Sequence, residues 1–146
     1  MNVESGVLNT KLMSQTALHI DSSPLGVRSV SRQLTAKVLD ALRAKSGNIN
    51  VVTRDIGVNS LPHLSGAVIG AFLTAASQGG PTVADAIKLS DRAVDELLGA
   101  DVIVIGAPMY NLGIPSSLKA WIDHVVRVGR TFRYGATLGI ASSRPS

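Results

Sequence analysis

Asp101-Val102-Ile103-Val104-Ile105-Gly106-Ala107-Pro108-Met109-Tyr110-Asn111 decides the fold. Residues 102–105 are apolar and β-rich, and the run breaks at once into a Gly-Ala-Pro turn. A short apolar run bounded by turn signals reads as a strand covered on both faces in a parallel sheet. We therefore expect 101–105 to be the central strand. Open α/β sheets bind their ligands just past the carboxyl ends of their strands. Met109, Tyr110 and Asn111 accordingly occupy the position of a binding loop.

Upstream of that strand, Gly99 closes a helix that starts at Thr82, with Asp85 three residues later in the manner of a capping box. Its apolar face is Val83, Ile87, Val94 and Leu98. An alanine-rich segment over 67–76 also reads as helical and stops at Gln78-Gly79-Gly80-Pro81. Earlier still, Ile49–Asp55 reads as a strand. It is separated from a first strand, Thr16–Ile20, by a helix carrying Val30, Leu34, Val38 and Leu42 four apart and stopped by Gly47. Downstream, Pro115-Ser116-Ser117 opens a helix with Leu118, Ile122 and Val125 inside. The segment 138–141 has the character of a short fourth strand. A β-α-β-α-α-β-α-β order with right-handed crossovers gives a doubly wound parallel sheet.

Between the first strand and its helix lies Asp21-Ser22-Ser23-Pro24-Leu25-Gly26-Val27-Arg28-Ser29-Val30-Ser31. Ser29 or Ser31 can cap the helix. Backbone N–H groups of the first turn, the positive end of the helix dipole and several hydroxyls together suit an anion, and Arg28 adds charge. A serine-rich cap with no further role accounts for the same residues. No Gly-Lys-Ser/Thr ending is present, so this is not a Walker loop. His19 alternates with apolar neighbours and reads as structural. His63 has no partner cluster for a metal, and the adjacent Asp123 and His124 point in different directions on a helix.

Composition fits a single domain. Of the 146 residues, 45% are hydrophobic, 16% charged and only 3% aromatic, so aliphatic side chains must build the core. Residues 1–12 are polar and aperiodic and are expected to be a disordered extension, with 13–146 forming the domain. A net charge of +4 and a pI near 9.9 come from scattered basic residues. They form no run and have no aromatic interleaving, which argues against nucleic-acid binding. The chain has no cysteine, which excludes thiolate chemistry. No apolar run reaches membrane-spanning length and no signal-peptide pattern opens the chain, so a cytoplasmic location is expected.

Ala107-Pro108-Met109-Tyr110-Asn111, Ile114–Asp123 and Arg127–Tyr134 closely resemble the FMN-dependent NADH-azoreductases, also described as FMN-dependent NADH:quinone oxidoreductases. Ser22-Ser23-Pro24 and Ser29–Leu34 are similar to the phosphate loop of that family. The resemblance spans about residues 13–134. It implies a flavodoxin-like sheet of order 2-1-3-4 and a homodimer with one FMN per subunit. It also implies transfer of two electrons from NADH through FMN to quinones and aromatic azo compounds. By the same resemblance, Ser23, Ser29, the Val30 main chain and Ser31 hold the phosphate, and Met109, Tyr110, Asn111 and Leu112 line the flavin ring. Leu112 stands where the family often has an aromatic. Chemistry carried by the cofactor would explain why no catalytic triad or carboxylate pair is visible.

The chain departs from the family pattern after Tyr134. Ser142-Ser143-Arg144-Pro145-Ser146 only faintly echoes a Ser-Arg-Gly-Gly-like flavin loop, and Pro145 has no N–H to donate. On this reading the chain is truncated or frameshifted, lacking the fifth strand and last helix, and an open sheet edge and exposed apolar surface are expected. Two other readings follow from the same residues. One is a flavodoxin-type carrier of single electrons, which the +4 charge disfavours against the usual acidic docking field. The other is an inactive remnant.

Overall fold

The computed structural model describes residues 14–74, 80–134 and 140–142. Residues 1–13, and with them the expected disordered extension, lie outside that set. Three parallel strands form the main sheet: β1 (Gln15–Asp21), β2 (Ile49–Asp55) and β3 (Val102–Gly106), in the order β2-β1-β3. β1 is thus the central strand of the described sheet, in register from Leu18 to both Val52 and Ile103. The helices are α1 (Val30–Ser46), α2 (Gly66–Thr74), α3 (Pro81–Leu98) and α4 (Ser116–Val125). The order 2-1-3 agrees with the expected doubly wound topology. Ile140–Ser142 is a strand (β5), but it pairs antiparallel with Phe132–Tyr134 (β4) in a separate two-stranded ribbon. It therefore does not extend the parallel sheet as the fourth strand anticipated from sequence.

Two apolar clusters hold the layers together. Leu18 and Ile20 on one face of β1 pack with Ile56, Ala93, Val94, Leu118, Trp121 and Val125 from α3, α4 and the loop after β2. On the other face, Ala17 and Val104 pack with Leu39 of α1. β3 was expected to be covered on both faces. Val104 is buried, yet Ile103 and Ile105 remain 45% and 43% exposed. The cause is position: β3 pairs only with β1 among the described residues, so its outer edge and one face lack neighbours.

The helices differ from the periodicity in their rotation. In α1 the inward residues are Thr35 and Leu39, with Leu42 packed behind them, while Val30, Leu34 and Val38 face outward. The expected stripe at 30-34-38-42 is replaced by one at 32-35-39-42. A polar anchor sets this rotation, because Arg32 and Thr35 both reach Asp21 at the end of β1. α3 starts one residue earlier than expected. Pro81 fills the first helical position after Gly80, and no side chain caps it. Its buried face is Ala86, Ser90, Ala93 and Val94. Gly47 ends α1 at φ 68°, donating its N–H to Arg43 O as the sequence indicates.

Candidate functional site

The site lies at the carboxyl ends of β1 and β3, which are neighbours in the sheet. Ser22 follows β1 directly and is fully buried. Its N–H and its hydroxyl both donate to Gly106 O at the end of β3, at 3.2 and 2.6 Å. Its carbonyl accepts from the Ser117 hydroxyl at the start of α4, at 3.3 Å. The two candidate loops are thereby pinned to one another at their roots.

Ser23 is also fully buried, and its hydroxyl accepts the Leu25 N–H at 3.3 Å, closing the loop on itself. A single 3-10 turn, Gly26–Arg28, then leads into α1. Of the two serines that could cap α1, Ser29 does so, its hydroxyl accepting from Arg32 N at 3.4 Å. Ser31 lies on the same rim, its hydroxyl 2.9 Å from that of Ser29. Val30 and Ser31 are the first two residues of the helix, where backbone N–H groups have no intrahelical acceptor. Hydroxyls, such N–H groups and the positive helix end make a donor set suited to a phosphate oxyanion. Ser29, Val30 and Ser31 are brought together at this rim. Ser23 sits beneath it, where its hydroxyl is engaged by its own loop.

Beyond β3, Tyr110 and Gly113 exchange two backbone hydrogen bonds of 2.9 Å each. The two residues between them, Asn111 and Leu112, have φ of 47° and 62°. Positive φ at both central positions is a type I′ turn. Asparagine tolerates that region well, but leucine does so at a cost of about 1 kcal/mol or more. The turn holds its side chains out: Met109 is 74% exposed and Leu112 94%. An exposed apolar tip on a strained turn suits a contact with a flat apolar ligand.

A second layer, which sequence reasoning passed over, supports the loop. Arg32 donates from Nε and Nη2 to Ser23 O at 3.1 and 2.6 Å. Its Nη1 and Nη2 reach the Asp55 carboxylate at 2.7 and 2.6 Å, and Nη1 lies 3.4 Å from Asp21. The Arg32 hydrogen bond holds the Asp55 carboxyl below its ordinary value, and Asp55 in turn raises the guanidinium. His19 is buried and lies 3.3 Å from Asp21 through Nε2, yet that nitrogen makes no hydrogen bond among the described residues, so the ring is structural without being fully satisfied. Gly57 and Gly106 complete the layer, since a Cβ on Gly57 would fall 2.3 Å from Ser23 O and one on Gly106 2.9 Å from Asp21 Oδ1. Its sequence signals were an aspartate ending each of two adjacent strands and an Arg–Thr pair three apart on the helix between them.

The other residues weighed from sequence play structural parts. Asp123 pairs with Lys119, whereas the buried His124 reaches Pro62 O at 2.8 Å through Nε2. His63 is exposed, and no group of three metal-ligating side chains occurs among the described residues. No helix among them is long and apolar enough to cross a membrane.

A three-layer parallel α/β domain with a hydroxyl-rich loop after its central strand and an apolar turn after the neighbouring one defines a doubly wound class of protein. The chain belongs to the flavodoxin-like fold family, whose profile matches residues 15–143. It is 50% identical over 122 residues to an FMN-dependent NADH:quinone oxidoreductase 2 of Bradyrhizobium diazoefficiens, a match covering 82% of this chain and 58% of that protein. Over 125 residues it is 48% identical to the FMN-dependent NADH:quinone oxidoreductase of Ralstonia nicotianae, again across 82% and 58%. Among solved structures, the azoreductase from Bacillus anthracis superposes with a TM-score of 0.75 at 27% identity, covering 84% of this chain and 60% of that one. The chain thus spans about three-fifths of the length of the curated relatives it matches.

Proposed function

We propose that this chain binds FMN and serves NADH:quinone oxidoreduction, with aromatic azo compounds as further acceptors. The observation that carries the reading is the oxyanion cradle of Ser29, Val30 and Ser31 beside the exposed apolar turn of Met109–Leu112, on neighbouring strand ends. The names of the relatives support the same assignment. Bound FMN would accept two electrons as hydride from NADH and pass them to the acceptor.

The residues of the chain bind and orient. Ser31 and the N–H groups of Val30 and Ser31 hold the phosphate, with Ser29 capping the helix and Ser23 fixing the loop behind them. Met109, Tyr110, Asn111 and Leu112 form a wall for the ring and keep water from one side of it. The reading includes residues 13–146 as one FMN-binding domain, a homodimer, and a cytoplasmic location. FMN titration followed by anaerobic addition of NADH tests it. Stoichiometric binding and bleaching of the flavin band, reversed by menadione or an azo dye, are expected. Bound flavin that NADH fails to reduce refutes the enzymatic part, and absence of binding refutes the whole.

A further inference from the structure

The donors of the rim formed by Ser29, Val30 and Ser31 are uncharged and the neighbouring Arg28 is exposed, yet two carboxylates lie directly behind the loop. Asp21 and Asp55 end adjacent strands and are register partners across the β1–β2 pair. Unopposed, they would repel the anion that the loop is shaped to receive. Arg32 is the side chain that meets both. Its side chain is 16% exposed, and the guanidinium has a third partner, the Ser23 carbonyl, which takes two of its N–H groups. A loop carbonyl free to swing would present an acceptor to an anionic ligand, whereas one held by two donors cannot.

Resting on the proposed FMN site, we infer that Arg32 is a positioning residue that makes the loop selective for the phosphorylated flavin. It does so without touching the phosphate. It ties down the Ser23 carbonyl, so that the loop offers donors, and it offsets the two strand-end carboxylates. Both tasks need the planar guanidinium fork, because Ser23 and Asp55 are engaged at once from different edges. An ammonium group carries the charge but cannot span both partners in fixed geometry.

The test is the ratio of affinities for FMN and riboflavin, which differ only by the phosphate, measured by flavin fluorescence on the 146-residue chain. The wild-type chain should prefer FMN. Arg32→Met should weaken FMN binding roughly ten- to a hundredfold while leaving riboflavin within about twofold, so that the preference collapses. Arg32→Lys should restore only part of it. Asp55→Asn, which removes one carboxylate and spares the bonds to Ser23, should keep the preference, and with Arg32→Lys it carries the test if Arg32→Met fails to fold.

Equal losses for both flavins in Arg32→Met would show a merely structural role and overturn the inference. So would wild-type FMN affinity in Arg32→Lys, or a collapse in Asp55→Asn as large as that in Arg32→Met. A preference that survives in Arg32→Met refutes this inference alone. A wild-type chain that binds neither flavin, or both equally, refutes the phosphate site and this inference with it.

Discussion

Gly57→Ala is the substitution whose cost follows most directly from the structure. Gly57 does not have positive φ, so alanine meets no conformational penalty there, and the effect is purely steric. Its Cβ would fall 2.3 Å from Ser23 O, 2.5 Å from Ser23 C and 3.0 Å from Ser22 C. Ordinary contact begins at 3.4 Å, so two backbones must part by about 1.1 Å. Neither is free to move. Gly57 N donates to Asp21 O at 3.0 Å, and Ser23 O is held by Arg32. Overpacking typically costs about 1–3 kcal/mol, and a clash of backbone with backbone belongs at the upper end. At about 3 °C per kcal/mol for a chain of this size, the melting temperature should fall by roughly 6–9 °C. FMN affinity should fall as well, because the displaced segment is the root of the phosphate loop. Gly70→Ala is the matched control. It lies inside α2 with nothing within 4 Å of a built Cβ, and should stabilise by about 0.5–1 kcal/mol. Circular-dichroism melts of the two variants decide the matter, and a Gly57→Ala chain melting with the wild type would refute the close approach of Gly57 to Ser23.

Leu112→Gly should relieve about 1 kcal/mol of left-handed strain, partly offset by the entropy of an unfolded glycine, so stability rises by at most a few tenths to about 1 kcal/mol while flavin binding weakens. Denaturant midpoints and FMN titration separate the two effects. Ser22→Ala deletes the 2.6 Å hydroxyl bond to Gly106 O but leaves the Ser22 N–H on the same acceptor. It should cost about 1 kcal/mol, read as a shift in urea midpoint. Asp55 is held below its ordinary 3.8, first by its hydrogen bond from Arg32. The stability this pairing adds is full above the unfolded carboxylate value and is lost as pH falls from there through the lower folded value. Urea midpoints measured downward from neutral pH should therefore drop in that acid window, and Asp55→Asn should flatten the drop.

The strand positions and the two loops were legible in the sequence because each rests on local chemistry. Ile49–Asp55 is bounded by turn residues and Gly47 must end its helix, so β2 and the end of α1 fall where periodicity and stop signals put them. The rotation of α1 was not legible. Its most hydrophobic stripe, Val30, Leu34 and Val38, faces outward, because Arg32 and Thr35 are drawn inward to Asp21 by contacts that no window of sequence contains. The coverage of β3 was misread for a related reason. An apolar run reports that a strand can be buried, and its neighbours decide whether it is, as the exposed Ile103 and Ile105 show. For the candidate site, hydroxyls at a helix start marked the loop, but the carboxylates and glycines behind it are linked only through the fold.

The rotation of α1 and the layer behind the loop share one cause. The ends of β1 and β2 each carry an aspartate, and a doubly wound sheet must place those ends side by side at the mouth of its ligand site. A negative pair behind a loop shaped for an anion is offset by a cation placed between the two carboxylates. Only α1, which leaves from that loop and returns over that face of the sheet, can supply it within a turn of the cap. Placing Arg32 there fixes the helix rotation, and Thr35, Leu39 and Leu42 then become the core face whatever the hydrophobicity of Leu34 and Val38. The outward apolar stripe is thus a consequence of the polar anchor at the strand ends, which sets the packing of the first helix against its own hydrophobicity.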